Sequence, residues 1–447
     1  MVQKTGKIWI FLSKAILFIV ILGVFFAGQV IFYVQTLFYF WGNYIVLLLY
    51  AANLYFVSKI YRGFEFGSAK PNEIIISWIL NLIIANTMQY LLLSLIELML
   101  LPVAGFLVVL GVQLFLVIPL TLIIDRLYYR LNPAQKAMII YGIEKKAREY
   151  HAIIEKHRKK FKINHTVSQD EPIEALFGFI NESESVFFLN VDETRREELL
   201  AYCFLKNKRT YIMPNFSGVL LNTAGVSWIS NTPMFLPKSP ELDIGVRFVK
   251  RSMDIVISSL SIILFSWLML IVWIAVFVYD RKSPIYKQTR ITKGGALFTL
   301  YKFRSMRPDA EDDGIPRLTA KDDGRITPVG RFIRRTRIDE LPQLFNVLAG
   351  SLSLVGPRPE RPEIAKQYEK KFPNFSLRTK VKAGMTGLAQ IYGQYNTPPE
   401  EKLFLDIMYI EKFSIWQDIV LLMQTLKVIL NFSSTEGIAN DSTTALR

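Results

Sequence analysis

Residues 253–279 read MDIVISSLSIILFSWLMLIVWIAVFVY, and the side of the membrane on which this stretch ends decides the architecture. It is long and apolar enough to enter a bilayer core about 30 Å thick. Its flanks are basic on both sides: Arg247, Lys250 and Arg251 before it, Arg281 and Lys282 after it. A simple crossing would put one cluster, and everything after residue 280, outside the cell. That runs against the bias of Lys and Arg for the cytoplasmic side. A re-entrant helix over 253–279 keeps both flanks on one face, and the charges favour it.

Upstream, apolar segments fill roughly 8–34, 37–60, 74–96 and 102–124. The connections 34–43 and 97–104 contain no Lys or Arg. The start (Lys4, Lys7), the middle loop (Lys59, Arg62, Lys70) and the exit (Arg126, Arg130, Lys136) are basic. This predicts a four-helix transmembrane bundle over residues 1–130 with both ends cytoplasmic. The apolar region after Lys7 is too long for a cleavable signal peptide and runs into a second one. Asn81, Asn86, Gln89 and Glu97 read as interhelical hydrogen-bonding groups, with a polar pathway as the alternative.

Composition agrees with a segregated chain. Hydrophobic residues make up 51% and charged residues 20%, and the formal charge is +15. Anionic lipid headgroups and a diphosphate substrate account for that charge, so nucleic acid is not expected. The single cysteine, Cys203, excludes an intrachain disulfide and a cysteine-built zinc cluster, and reads as a small buried hydrophobe. His151, His157 and His165 share one charged region and read as solvated.

Residues 131–242 read as a cytoplasmic α/β domain. KAMIIYG, SVFFLN and RTYIMP are strands; KAREYHAIIEKHRKKF and TRREELLAYCFLKNK are helices. Alternation of this kind suggests a small parallel, Rossmann-like sheet. A dinucleotide domain would carry its glycine-rich turn after the first strand, where only Gly142 stands. The domain therefore reads as a degenerate Rossmann-like unit with a structural, regulatory or oligomerising role; a homodimer through it is one expectation.

Residues 243–432 form the motif-dense part. PIYKQTRI and ALFTLYKFRSM read as a β-hairpin turning at Gly294-Gly295. GRFIRRTRIDELPQLFNVL is helical in period, and Pro342 places Asp339 and Glu340 at a helix start or a kink. The run from Glu400 to Leu430 reads as an amphipathic helix or pair of helices, interfacial by its Tyr409, Phe413, Trp416, Lys402 and Lys412, with packing against the domain's own core as the equal alternative. The tail 433–447 has a disordered composition.

Asp339 and Glu340 stand beside Arg334, Arg335 and Arg337. A carboxylate can attack phosphorus and form an acyl-phosphate. The diphosphate it attacks must be neutralised, which arginine does bidentately. A Mg²⁺ ion bridging phosphate oxygens, with Asp339 as a ligand, would complete the task.

Four stretches together resemble the bacterial sugar transferase family, the polyprenyl-phosphate sugar-1-phosphate transferases that start exopolysaccharide, capsule or O-antigen subunits. They are KRSMDIVIS at 250, YKFRSMRPDAE at 301, DDGRITPVGRFIRRTRIDELPQLFNVLAGSLSLVGPRPE at 322 and RTKVKAGMTGLAQIYG at 378. The four-helix bundle and the Rossmann-like unit look like the large, multi-spanning form of that family.

The resemblance implies transfer of a sugar phosphate from a UDP-sugar to polyprenyl (undecaprenyl) phosphate, releasing UMP, at the bacterial plasma membrane. Asp339 would be the nucleophile and Glu340 its assistant. Arg334 and Arg358 would lie near the phosphates, and Pro357-Arg358-Pro359 would line the site. Lys302 and Arg304 would bind diphosphate or lipid phosphate. The family's re-entrant helix often breaks at a Ser-Pro pair; here Ser266-Trp267 stands in that place. An inactive scaffold for polysaccharide assembly and a transporter are the competing classes. The intact dyad, arginines and GPRP segment disfavour the first, and the large polar half disfavours the second.

Overall fold

The computed structural model describes residues 2–32, 41–222, 224–237, 243–310, 323–393 and 397–430. The tail read as disordered, 433–447, and the boundary region at 238–242 lie outside them. The chain divides into two compact units, Met1–Asn215 and Phe216–Arg447.

The first unit opens with α1 (Val2–Phe32), α2 (Gly42–Tyr61), α3 (Pro71–Ile96) and α4 (Val103–Leu131). α1 packs on α4, α2 on α3, and α3 on α4. Leu17, Ile21, Tyr50, Leu54, Trp78, Leu82 and Val117 form their common core. Polar groups inside it bond across helices, because an unpaired one would be costly there. Asn86 Nδ2 donates to Gln113 Oε1 at 2.7 Å, and Gln113 Nε2 donates to Tyr50 Oη at 3.0 Å. Asn81 bonds Ser58, and Gln89 Nε2 donates to Val46 O at 3.4 Å.

The α/β part follows as β1 (Gln135–Tyr141), α5 (Glu144–Glu155), β2 (Phe161–Ser168), α6 (Ile173–Glu182), β3 (Ser185–Leu189), α7 (Glu193–Leu205) and β4 (Arg209–Ile212). The sheet is parallel with order β2-β1-β3-β4. The sequence reading includes neither β2 nor α6. The helix read to Phe161 ends at Glu155, and Phe161–Ser168 is a strand whose burial alternates as a half-covered strand requires. At the carboxyl ends of the strands the crevice is closed by the chain itself. A Cβ on Gly142 would lie 2.2 Å from Asn190 O, and Gln169 bonds both the backbone and the carboxylate of Asp192. Cys203 is fully buried in the core with Met138, Leu176, Val186 and Leu199, as expected.

The second unit begins with α8 (Phe216–Leu221) and an exposed hairpin, β5 (Gly225–Ile229) and β6 (Thr232–Leu236). α9 (Ile244–Asp280) runs as one helix through Ser266-Trp267, where Ser266 Oγ donates to Ile263 O at 2.9 Å. A proline at 267 would have removed a backbone donor; tryptophan leaves it in place. Then come β7 (Ile285–Ile291) and β8 (Leu297–Phe303), an antiparallel hairpin turning at Lys293–Gly295. Gly294 and Gly295 both have positive φ, which is why glycines occupy the turn. α10 (Pro328–Arg335), a 3₁₀ turn (Ile338–Glu340), α11 (Gln343–Ala349), β9 (Ser353–Val355) and α12 (Pro362–Lys371) follow. After a second 3₁₀ segment (Phe375–Lys380) come β10 (Gly384–Thr386), α13 (Leu388–Tyr392), α14 (Pro399–Glu411) and α15 (Ile415–Leu430).

Among the described residues five helices are long and apolar enough to cross a membrane: α1 to α4 and α9. α9 is anchored to its unit by charge at one end. Lys250 Nζ donates to Val355 O at 3.0 Å and pairs with Asp418 of α15. Arg251 donates to Val347 O and Leu348 O at 2.6 and 2.7 Å, capping the C-terminus of α11. Asp254 accepts from Ser353 Oγ and Leu354 N. Farther along, Met269, Val272 and Val276 pack on Phe303 and Ile333. The remaining surface of α9, with Ile263, Leu264 and Trp267, is exposed and apolar.

Asp418 has no solvent-exposed side-chain surface, so removing its counter-charge leaves a buried carboxylate unpaired. Lys250→Met should lower unfolding stability by about 3–5 kcal/mol. The denaturation midpoint of detergent-purified protein reads this, and Lys250→Met with Asp418→Leu should recover most of the loss.

Candidate active site

The site is built where a helical run is interrupted. Thr327 caps α10: its Oγ1 accepts from Gly330 N at 2.9 Å, with Pro328 in the first turn. Gly330 sits against the chain of Ser305, where a Cβ would lie 1.9 Å from the carbonyl oxygen. α10 carries Arg334 and Arg335 in its last turn. Arg337 then adopts the left-handed conformation, φ 56°, and reverses the chain into the 3₁₀ turn that holds Asp339 and Glu340. The ring of Pro342 would clash with the carbonyl of Ile338 in a continuous helix, so the helical period read over 330–348 is realised as two helices. The dyad occupies the break before α11, as Pro342 predicts.

Asn346 of α11 fixes the break against β8. Its Oδ1 accepts from Tyr301 N at 3.0 Å and its Nδ2 donates to Thr299 O at 2.8 Å, as a neighbouring strand would. That places Lys302 beside the dyad. Lys302 Nζ donates to Glu340 Oε1 at 2.8 Å, and Arg358 Nη2 donates to the same oxygen at 2.9 Å. Lys302 and Glu340 are largely covered, whereas the Arg358 side chain is 42% exposed and open to a ligand.

The two carboxyls are in different electrostatic states. Burial alone would raise the pKa of Glu340, but Lys302, Arg358 and Arg337 outweigh it and hold the group well below the usual carboxylate range. Asp339 forms no hydrogen bond or ion pair with the described residues. Burial pushes its pKa up to about 6, the Glu340 charge adds to this, and Lys302, Arg334 and Arg358 oppose it. Glu340 is thus a fixed anion that organises cations, and Asp339 is the carboxyl without an ion pair of its own among the described residues.

The structure gathers Lys302, Arg334, Asp339, Glu340 and Arg358 around one point. Arg304 is not joined to the dyad by any contact among the described residues. Its Nη1, like Nε of Arg337, is buried without an acceptor, a vacancy that an anion would satisfy. Pro357 and Pro359 act through the main chain: Pro357 O accepts from Gly384 N at 2.8 Å, and Pro359 O accepts from Arg290 Nη1 at 3.0 Å. Sequence reasoning missed Arg290, Arg378 and Asp406, which surround this loop. Arg378 opens one of the quoted stretches, but nothing local marks it as a partner of residue 358.

No cluster of three metal-ligating side chains occurs among the described residues. Mg²⁺ does not need one, since it commonly takes one or two carboxylates, with substrate phosphates and water completing its shell. Asp339, lacking a cationic partner of its own, fits that role.

The profile of the bacterial sugar transferase family matches residues 245–432. Undecaprenyl-phosphate galactose phosphotransferase of Salmonella typhimurium is 38% identical over 235 residues, covering 49% of this chain and 48% of that protein. UDP-N-acetylgalactosamine-undecaprenyl-phosphate N-acetylgalactosaminephosphotransferase of Aeromonas hydrophila is 35% identical over 239 residues, covering 52% and 55%. UDP-glucose:undecaprenyl-phosphate glucose-1-phosphate transferase of Caulobacter vibrioides is 34% identical over 199 residues, covering 43% and 74%. The match therefore spans about half the length of the first two proteins and about three quarters of the third.

A carboxyl whose pKa is raised by folding favours its protonated form. Ionised Asp339 therefore costs stability, with the full cost above about pH 6 and none below the unfolded value of 3.8. Asp339→Asn should stabilise the protein on the order of 3 kcal/mol at pH 8. The gain should fade as pH falls toward 4, as read by chemical unfolding at both pH values.

Proposed function

The chain belongs to the bacterial sugar transferase family, and from that premise we propose that it transfers a sugar-1-phosphate from a UDP-sugar to undecaprenyl phosphate, releasing UMP. The observation that carries this is the unequal dyad: an ionised Glu340 holding Lys302 and Arg358 beside an unpaired Asp339. The names of the relatives point to the same donor and acceptor classes.

In the first half-reaction an Asp339 oxygen attacks the phosphorus that bears the sugar. An Asp339–phosphorus bond forms, the bond to the bridging oxygen of the diphosphate breaks, and UMP leaves with that oxygen and its charge. Arg358 and Arg334 stabilise the negative charge that builds on the phosphoryl oxygens. In the second half-reaction an oxygen of undecaprenyl phosphate attacks the same phosphorus and Asp339 is released as a carboxylate. Glu340 keeps the cations in place through both. Asp339 is the residue that would hold a Mg²⁺ ion, which would supply further charge neutralisation when bound.

The same reading gives the membrane arrangement. Both the start of α9 (Lys250, Arg251, Asp254) and its later part (Val272, Val276) pack on one polar domain, and both flanks are basic. This supports a helix that enters the bilayer and returns its ends to the cytoplasmic face. α1 to α4 would span the plasma membrane, and the α/β part would be a structural or dimer-forming unit. The product would be the first lipid-linked unit of an exopolysaccharide or capsule. The sugar itself is to be found with a panel of UDP-sugars and undecaprenyl phosphate.

Purified protein should release UMP from at least one UDP-sugar of that panel. Asp339→Asn should lose on the order of 10³-fold or more in that rate, as removal of a covalent nucleophile does. Background release by the wild type would sink the enzyme reading in favour of an inactive scaffold. Near-wild-type release by the variant would sink the nucleophile assignment.

A further inference from the structure

The loop that delivers Arg358 has no regular secondary structure of its own, because residues 356–361 lie between β9 and α12 in an irregular path. Its two prolines lack an N–H and cannot donate hydrogen bonds. The arginine that meets Glu340 is therefore only as well placed as the groups that hold this main chain. Arg378 is foremost among them. We infer that Arg378, braced by Asp406, is a positioning residue that sets the main chain at Arg358 so that its guanidinium reaches Glu340. This rests on the transferase reading of the site.

Arg378 lies in the 3₁₀ segment Phe375–Lys380, and its side chain is 7% exposed. Its Nη2 donates to Arg358 O at 2.9 Å and lies 2.7 Å from Asp406 Oδ2. Its Nη1 lies 3.5 Å from Glu360 Oε1. One rigid fork thus binds residue 358 through its carbonyl and residue 360 through its carboxylate. Asp406 supports the fork from α14, whose Leu403 and Ile407 are buried against Phe375. Arg290 holds the next residue: Nη1 donates to Pro359 O at 3.0 Å, and the following backbone N–H, from Ile291, donates to Glu360 O at 3.0 Å. None of these three side chains contacts Lys302, Asp339 or Glu340 among the described residues, so Arg378 acts on the dyad only through Arg358.

Energetics favour positioning over bulk stability. A buried Arg–Asp pair is often no more stabilising than apolar residues of similar volume. What the pair provides here is a fork of fixed geometry. A lysine could meet Asp406 or the Arg358 carbonyl as a point charge, but it could not reproduce that spread of bonds.

The test uses the full-length protein in detergent or nanodiscs. Arg378→Lys keeps the charge facing Asp406, and Arg378→Met with Asp406→Leu removes both charges, so at least one variant should fold. Each should lower kcat/KM for the UDP-sugar by about 10- to 100-fold, the scale of a misplacement near 1 Å. In an Arg358→Ala background the same changes should cost less than about 2-fold, because acting through a shared residue makes the losses non-additive. Fold-losses that multiply in the combined variants would overturn the inference. A second readout does not depend on turnover. Hydrogen–deuterium exchange of the peptide spanning 353–361 should rise in Arg378→Lys while exchange in α9 and β8 stays unchanged. A uniform rise across the domain would show a merely structural role and overturn the inference, even if no UDP-sugar proved to be a substrate.

Discussion

One carboxylate oxygen, Glu340 Oε1, accepts hydrogen bonds from both Lys302 and Arg358. Its three residues come from the end of β8, the 3₁₀ turn and the loop after β9, which share no secondary structure. Gathering two cations in a covered site is unfavourable unless an anion separates them. Glu340 is that anion. It leaves one cationic side chain, Arg358, partly open to an arriving phosphate. The neighbouring Asp339 lacks such compensation. Adjacent carboxyls on one short turn cannot both be fully stabilised by the same cations, so their titration separates. The separation divides their labour, with a permanent organiser beside a reactive group.

The geometry of that node is inherited from farther away. Asn346 docks α11 onto β8, which brings Lys302 to the dyad. Arg251 caps the other end of α11 and belongs to α9. The apolar helix and the polar site are therefore coupled through one short helix of seven residues. The apolar face of α9 must be covered by lipid or its equivalent, while its charged start must stay with the domain. In the proposed arrangement such a helix would hold the site at the membrane surface, where a lipid-borne phosphate would be met.

Much of this was legible in the sequence because it is local. Gly294-Gly295 announces the hairpin turn, Pro342 the break that holds Asp339 and Glu340, and Thr327-Pro328 the start of α10. Arg334 stands beside the dyad in sequence, but Lys302 and Arg358 were reached only through the resemblance to a family; no spacing rule links residue 302 to residue 340. The helix preceding the strand Phe161–Ser168 is read too long, to Phe161, because charged residues extend a helical pattern past Glu155, and the strand itself carries no reading. Arg378 and Asp406 were invisible for another reason. They are 28 positions apart, each looks like an ordinary surface charge, and only folding shows that both are buried. Membrane depth is legible as charge bias alone, so the five apolar helices could be counted but not given their paths.

The arrangement also accounts for where the site stores its cost. Asp339 is ionised above its raised pKa in a place that disfavours the charge, and Arg337 adopts a left-handed backbone conformation to present the turn. Both are unfavourable locally and persist because the surroundings over-determine them. Those surroundings are the Asn346 dock, the Arg251 cap, the buried Lys250–Asp418 pair and the arginines behind the GPRP loop. A nucleophilic carboxylate held by its own strong ion pair would be stable and unreactive. Here the strong ion pairs go to the neighbour, and Asp339 is left with an energetic penalty that, in the proposed reaction, an approaching electrophilic phosphorus would relieve.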